Sequence, residues 1–140
     1  MPAKKIIIDT DPGQDDAVAI LLALASPDEI DVLGITAVAG NVPLALTQKN
    51  ARIICELAGR TDVPIFSGCD CPIGRPLVTA EHVHGKTGLD GPVLPDPQMP
   101  LQDLHAVDFI IQTLREHPSG TITLCPLGPL TNIATALTKA

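Results

Sequence analysis

Four aspartates crowd into eight residues near the start of the chain, Asp9-Thr10-Asp11-Pro12-Gly13-Gln14-Asp15-Asp16. The segment follows an all-apolar run, Ile6-Ile7-Ile8, and leads into an apolar, helix-compatible stretch from Ala17 to Ala25. It therefore lies where a strand hands over to a helix. Asp9 and Asp11 are two apart at the end of an extended segment, which puts them on one side of it. Asp15 and Asp16 stand at a helix start, where the backbone dipole favours negative charge by about 0.3–1 kcal/mol. Helix capping accounts for one or two of these carboxylates. It does not account for four. A like-charge pair at about 4 Å costs on the order of 4 kcal/mol at an effective dielectric of 20, and no Lys or Arg lies between Lys5 and Lys49. A divalent cation held by carboxylate and carbonyl oxygens would neutralise the cluster, and an oxygen-only donor set favours Ca²⁺ or Mg²⁺ over zinc.

A second metal reading is weaker. Cys69-Asp70-Cys71 with His82 and His84 fits no common zinc framework, whose usual opening is Cys-x₂₋₄-Cys. Cys55, Cys69, Cys71 and Cys125 are expected to be reduced thiols of a cytoplasmic protein. No secretory h-region precedes Ile6, and the longest apolar run is well short of the roughly 20 residues that span a bilayer. A net charge of −7 argues against a nucleic-acid partner, which needs a basic face. It suits a metal ion or a neutral small molecule.

The elements that must hold these residues alternate. Strands are predicted at Ile6–Ile8, Asp31–Val38, Pro64–Phe66 and Thr121–Cys125, and helices at Asp15–Ala25, Leu44–Ala58 and Leu104–His117. A final helix is expected from Leu130, with Pro129 as its first residue. The first helix is apolar nearly all round and is expected to be buried. Gly59 is the expected stop of the second. A stretch rich in Pro and Gly, Gly68 to Gln102, lacks periodicity, and its portion from Gly74 to Pro100 is expected to be a mobile flap near the strand ends. The order β-α-β-α-β-loop-α-β-α predicts one α/β domain over residues 1–140. It would be an open, mainly parallel, Rossmann-like sheet with helices on both faces and its ligand site at the carboxyl ends of the strands. The chain ends inside a helix with no C-cap signal, which leads to the expectation of a truncated fold.

Four motifs in order carry a family resemblance. The acidic segment followed by Ala17-Val18-Ala19 resembles the N-terminal signature of the inosine-uridine-preferring nucleoside hydrolases, D-x-D-P-G-x-D-D and a small-apolar run. Gly40-Asn41, then His84-Gly85-Lys86-Thr87-Gly88-Leu89-Asp90-Gly91, then Pro126-Leu127-Gly128-Pro129-Leu130-Thr131-Asn132-Ile133-Ala134 follow in register. The resemblance runs through the whole chain. It implies hydrolysis of the bond between ribose and nucleobase in inosine, uridine or a similar ribonucleoside, by a calcium-dependent homo-oligomeric enzyme.

By that resemblance, Asp11 and Asp16 would be calcium ligands, and Asp11 would also take the proton of the calcium-bound water. Asp15 and Asn41 would hydrogen-bond the ribose hydroxyls, His84 would approach the substrate, and the main-chain carbonyl of Leu127 would be a further calcium ligand. Leu127 departs from the small residue that many relatives have there, which matters little for a carbonyl ligand. Cleavage through an oxocarbenium-like transition state makes sense of a metal and several carboxylates. Members of the family are roughly twice this long. Their later half supplies another calcium-binding aspartate, a histidine that helps protonate the leaving base, and most base-facing aromatics. That would explain why Phe66 and Phe109 are the only aromatic residues in this chain.

Two other readings compete. Haloacid-dehalogenase-like phosphotransferases also begin with a strand and D-x-D, and would use the first aspartate, Asp9, as the phosphate acceptor. They usually continue Gly-Thr where this chain has Pro12-Gly13. The other alternative is a non-catalytic metal-binding fragment. On the residues alone, Asn41 is equally a turn residue, and Asn132 need only satisfy backbone groups.

Overall fold

A computed structural model describes residues 2–140. Four parallel strands form one sheet in the order β3-β2-β1-β4. They are β1 (Lys4–Thr10), β2 (Ile30–Ala37), β3 (Ile65–Ser67) and β4 (Ile122–Pro126). The helices between and after them are α1 (Gln14–Leu24), α2 (Leu44–Leu57), α3 (Glu81–His84), α4 (Ala106–Glu116) and α5 (Thr131–Lys139).

The alternation of a strand sends successive side chains to opposite faces, and β1 uses both. Ile6 and Ile8 join Ile20 and Leu24 of α1 and Ile54 of α2 in one core, while Ile7 packs with Val107 and Ile110 of α4 and Ala136 of α5 in another. Helices thus cover both faces, as the all-apolar strand required. Gly34 in β2 has no room for a side chain. A Cβ there would stand 2.7 Å from Phe109 Cζ and 3.0 Å from Phe66 Cε2, whose rings stack with centroids 3.8 Å apart.

From β1 the chain steps outward through β2 to β3, then returns to lay β4 on the other side of β1. The direction of winding reverses at the β1/β4 junction, and the carboxyl ends of those two strands border the crevice where such sheets take ligands. The acidic turn leaves β1 at this point and the Pro126–Pro129 turn leaves β4.

Several expectations need correcting. Helix α1 is buried on one side only: Ile20, Ala23 and Leu24 enter the core, whereas Val18 and Leu22 are each 67% exposed. An all-apolar circumference does not say how many neighbours a helix will find. Pro129 is not the first residue of α5, because Leu130 is its N-cap and Thr131 its first turn. The stretch from Gly68 to Gln102 contains the short helix α3, too brief for a periodic signal. Gly59, at φ +69°, ends α2 as expected. Among the described residues, no helix is long and apolar enough to cross a membrane, and all four cysteines are unpaired.

Candidate active site

The acidic turn divides into buried and exposed members. Asp9 is 0% exposed, Asp11 and Asp16 are each 5% exposed, and Asp15 faces solvent. None of them caps α1. Gly13 is the N-cap, with no side-chain bond, so capping does not explain the cluster.

Asp11 sits in a cradle of glycines. A Cβ on Gly40 would overlap its Oδ2, and one on Gly128 would lie 2.6 Å from its Oδ1. The backbone N–H of Asn41 donates to Asp11 Oδ2 at 2.9 Å, and Asn41 Nδ2 donates to the Asp11 carbonyl at 2.8 Å. The loop after β2 therefore fixes both the side chain and the backbone of Asp11. Burial pushes the Asp11 carboxyl up to about 7; the Asn41 N–H opposes that and the neighbouring Asp16 charge adds to it. Asp16 is likewise raised by burial, against a 2.7 Å bond from Thr10 Oγ1, with the Asp15 charge adding.

Asp9 has a different role. Its Oδ2 accepts from Thr36 Oγ1 at 2.6 Å and from Asn132 Nδ2 at 2.8 Å, while its Oδ1 is buried without a partner. Burial lifts its carboxyl to about 6 despite those two bonds. A carboxylate enclosed in this way cannot reach a phosphate ester, which removes the ground for the phosphotransferase reading. Asn132, fully buried, also accepts from the Cys69 N–H at 2.8 Å and donates to the Ala37 carbonyl at 3.1 Å. One amide thus ties β1, β2, the segment after β3 and α5 together. The sequence reading undervalued it, because an Asn after a Pro-Leu-Gly-Pro turn looks like local turn chemistry.

Leu127 precedes Gly128, which borders Asp11. The Leu127 N–H donates to the Asp9 carbonyl at 2.8 Å and its side chain is exposed. His84, in α3, does not join the aspartates but lies on Gly13 and Gln14, with Nδ1 2.6 Å from Gln14 Oε1. The expected flap is pinned at several points. Ala80 N–H donates to the Asn41 carbonyl at 2.7 Å, Asn50 Nδ2 donates to the Thr87 carbonyl at 2.7 Å, and Glu56 accepts from the N–H groups of Gln98 and Met99 at 2.6 Å. Cys69, Cys71, His82 and His84 do not converge, and among the described residues no group of three or more His, Cys, Asp or Glu could hold a metal ion.

The donor chemistry nevertheless suits a hard cation. Asp11 and Asp16 are adjacent, buried, oxygen-only donors, and among the described residues the ion pairs are Lys49–Asp96, Arg60–Asp62 and Lys139–Asp108, all remote from them. Two carboxylates are a partial set against the six to eight oxygens Ca²⁺ takes. Beside Asp11, sharing Gly40 and Pro129 with its surroundings, opens a cleft of about 590 Å³ lined by Ile73, Leu77, Val78 and Leu130. That volume is within the range of small-molecule sites.

Residues 6–140 match the family model described as inosine-uridine preferring nucleoside hydrolase. The chain is 49% identical over 134 residues to the inosine-uridine preferring nucleoside hydrolase of Crithidia fasciculata, covering 95% of this chain and 42% of that protein. It is 50% identical over 135 residues to the pyrimidine-specific ribonucleoside hydrolase RihA of Photobacterium profundum, covering 96% of this chain and 43% of that one. Its fold matches a purine-preferring ribonucleoside hydrolase from Gardnerella vaginalis with a TM-score of 0.90 at 36% identity, covering 98% of this chain and 44% of that structure. The chain spans less than half the length of these relatives.

Proposed function

The chain belongs to the inosine-uridine preferring nucleoside hydrolase family, and from that premise we propose that the protein hydrolyses the N-glycosidic bond of ribonucleosides to ribose and free base. The observation that carries the reading is Asp11: a buried carboxylate held between Gly40 and Gly128, next to Asp16, at the point where the sheet reverses. Glycine at both flanks costs the chain backbone entropy, which is reasonable where the space beside a carboxylate must stay open.

Asp11, Asp16 and the Leu127 carbonyl would hold Ca²⁺. Bound there, the ion supplies a Lewis acid that orients a ribose diol and makes water more acidic. In the reaction, the bond from C1′ to the base nitrogen breaks, a water oxygen bonds to C1′, and the base leaves with a proton. Asp11 accepts a proton from the attacking water, a task for which a buried carboxylate held in a fixed position is suited. Asn41 keeps Asp11 in place through the two bonds described, and its Oδ1 is free to accept from a ribose hydroxyl. Asp15, exposed at the rim, accepts from a second. The negative field of the cluster favours the cationic ring of the transition state over the neutral substrate.

The relatives' own names cover purine and pyrimidine preferences, so the substrate class is the ribonucleoside and not one base. The proposal includes a cytoplasmic homo-oligomer. The test is product analysis with the intact protein and calcium in H₂¹⁸O. Ribose carrying the label at C1 together with free hypoxanthine or uracil is expected. Intact nucleoside after prolonged incubation with both inosine and uridine would refute the reading.

A further inference from the structure

The flap contacts of Gln14 form a site of their own. The His84 ring lies against Gly13, where a Cβ would meet Nδ1 at 2.5 Å and Cε1 at 2.7 Å. Gln14 reaches back to the same ring with Oε1 2.6 Å from Nδ1, while its Nε2 faces the backbone carbonyls of His84 at 3.4 Å and Asp90 at 3.5 Å. Those two carbonyls decide which way the amide is turned. The reversed orientation would set Oε1 against two carbonyl oxygens and Nε2–H against the ring nitrogen. With Oε1 toward the ring, and an amide oxygen able only to accept, the ring proton must sit on Nδ1. In neutral His84 the lone pair is then on Nε2.

The segment around this contact is folded tightly on itself. Gly85 (φ +81°) and Gly88 (φ +88°) adopt left-handed backbone, where a side chain would be strained. The carboxylate of Asp90 accepts from the N–H groups of Lys86 and Thr87 at 3.1 and 3.0 Å, folding the segment on itself. Between Ala80, anchored on Asn41, and Thr87, anchored on Asn50, the contact with Gln14 joins α3 to the acidic turn itself.

We infer that Gln14 is a positioning residue that latches the segment 80–90 over the acidic turn and fixes His84 with its proton on Nδ1. The consequence for KM rests on the proposed nucleoside hydrolase reading; the latch and the tautomer do not.

Three measurements on the intact protein test this. In wild type, long-range ¹H–¹⁵N correlation of the His84 ring should show the Nδ1–H tautomer. In Gln14→Met, which keeps length and loses all three polar contacts, the Nδ1–H preference should disappear, and amide exchange in 80–90 should rise about tenfold, as for loss of a local closing contact. Exchange in β1 should be unchanged, which reports that the fold is intact. Gly13→Ala, which pushes the ring away without touching Gln14, should give the same exchange change. For inosine or uridine, Gln14→Met should raise KM about tenfold, the equivalent of one or two weak hydrogen bonds, with kcat within threefold. A wild-type Nε2–H tautomer, or exchange within twofold of wild type in both variants, would overturn the latch. A latch that behaves as expected in a protein that hydrolyses no nucleoside would count against the proposed function alone.

Discussion

Replacing Gly40 by alanine separates the chemistry of the site from its stability. The added Cβ would overlap Asp11 Oδ2 and stand 2.9 Å from both Asp11 Cγ and Pro129 Cδ. Pro129 belongs to a turn braced by the Leu127–Asp9 hydrogen bond, so the carboxylate is the group that yields, by about 1 Å. A displacement of that size costs on the order of 10²-fold in rate. It also pulls Oδ2 off the Asn41 N–H, and a hydrogen bond to a charged group contributes about 1.5–3 kcal/mol. Opposing this, Gly→Ala restricts the unfolded chain and adds about 0.4–1 kcal/mol of stability, and the φ at Gly40 is not positive, so the backbone itself accepts alanine. The expected result is a fall of roughly 10²-fold in kcat/KM for inosine or uridine and weaker calcium binding. The net loss, about 0.5–2.6 kcal/mol, should lower the thermal midpoint by no more than about 10 °C. Activity within threefold of wild type would mean that Asp11 need not occupy the position seen here, and the cradle argument would fail.

Other perturbations give separate outcomes. Leu127→Thr should leave calcium affinity within about threefold, since the proposed ligand is a backbone oxygen and a threefold change is under 1 kcal/mol; a large loss in a calcium titration would implicate the side chain. Asn132→Ala strands the Cys69 N–H and takes a donor from the Ala37 carbonyl and from Asp9 Oδ2, which keeps its Thr36 bond, so urea unfolding should show a loss of about 2 kcal/mol or more, and a loss under 1 kcal/mol would contradict the network. Cys55, 0% exposed, has its thiol pushed by burial from 9.0 to about 12. The unfolded chain ionises first, so this residue's contribution to stability is intact below pH 9 and falls by about 1.4 kcal/mol per pH unit above it. Cys55→Ala should flatten that fall between pH 9 and 11, and an unchanged slope would show that the thiol ionises freely in the fold. A 140-residue polypeptide of this sequence should bind calcium only weakly, because two carboxylates and a carbonyl are far from six to eight oxygens; micromolar affinity by titration would show the donor set to be larger than it looks.

Local chemistry explains what could be read in advance. Ile6-Ile7-Ile8 could only be a strand covered on both faces, and Gly59 could only stop α2 with the positive φ it has. The strand-turn-helix setting of the acidic cluster followed from its flanks. Exposure did not follow: Val18 and Leu22 are apolar and bare because burial depends on which neighbours arrive, and a helix sequence carries no record of that. The distinct roles of Asp9 and Asp11 were also hidden. Their spacing is symmetrical in the sequence, but Asn132, more than a hundred residues away, closes over Asp9, while Gly40 and Gly128 leave room around Asp11. Such divisions are long-range, and no local pattern encodes them. The segment 74–100 read as loose because its anchors are single contacts (Asn41, Asn50, Glu56, Gln14) that leave no periodicity.

The central claim is that Asp11 is both the proton acceptor and a holder of the cation. Steady-state hydrolysis of inosine and uridine by intact Asp11→Asn, beside wild type in saturating calcium, tests it most directly. Asparagine keeps the shape and can still accept the Asn41 N–H bond, so folding should be preserved. Loss of a general base typically costs about 10²–10⁴-fold, and impaired cation binding should take the rate lower still. A kcat reduced by at least that factor, with an unaltered unfolding transition, is the predicted result. A kcat within threefold of wild type would contradict the account.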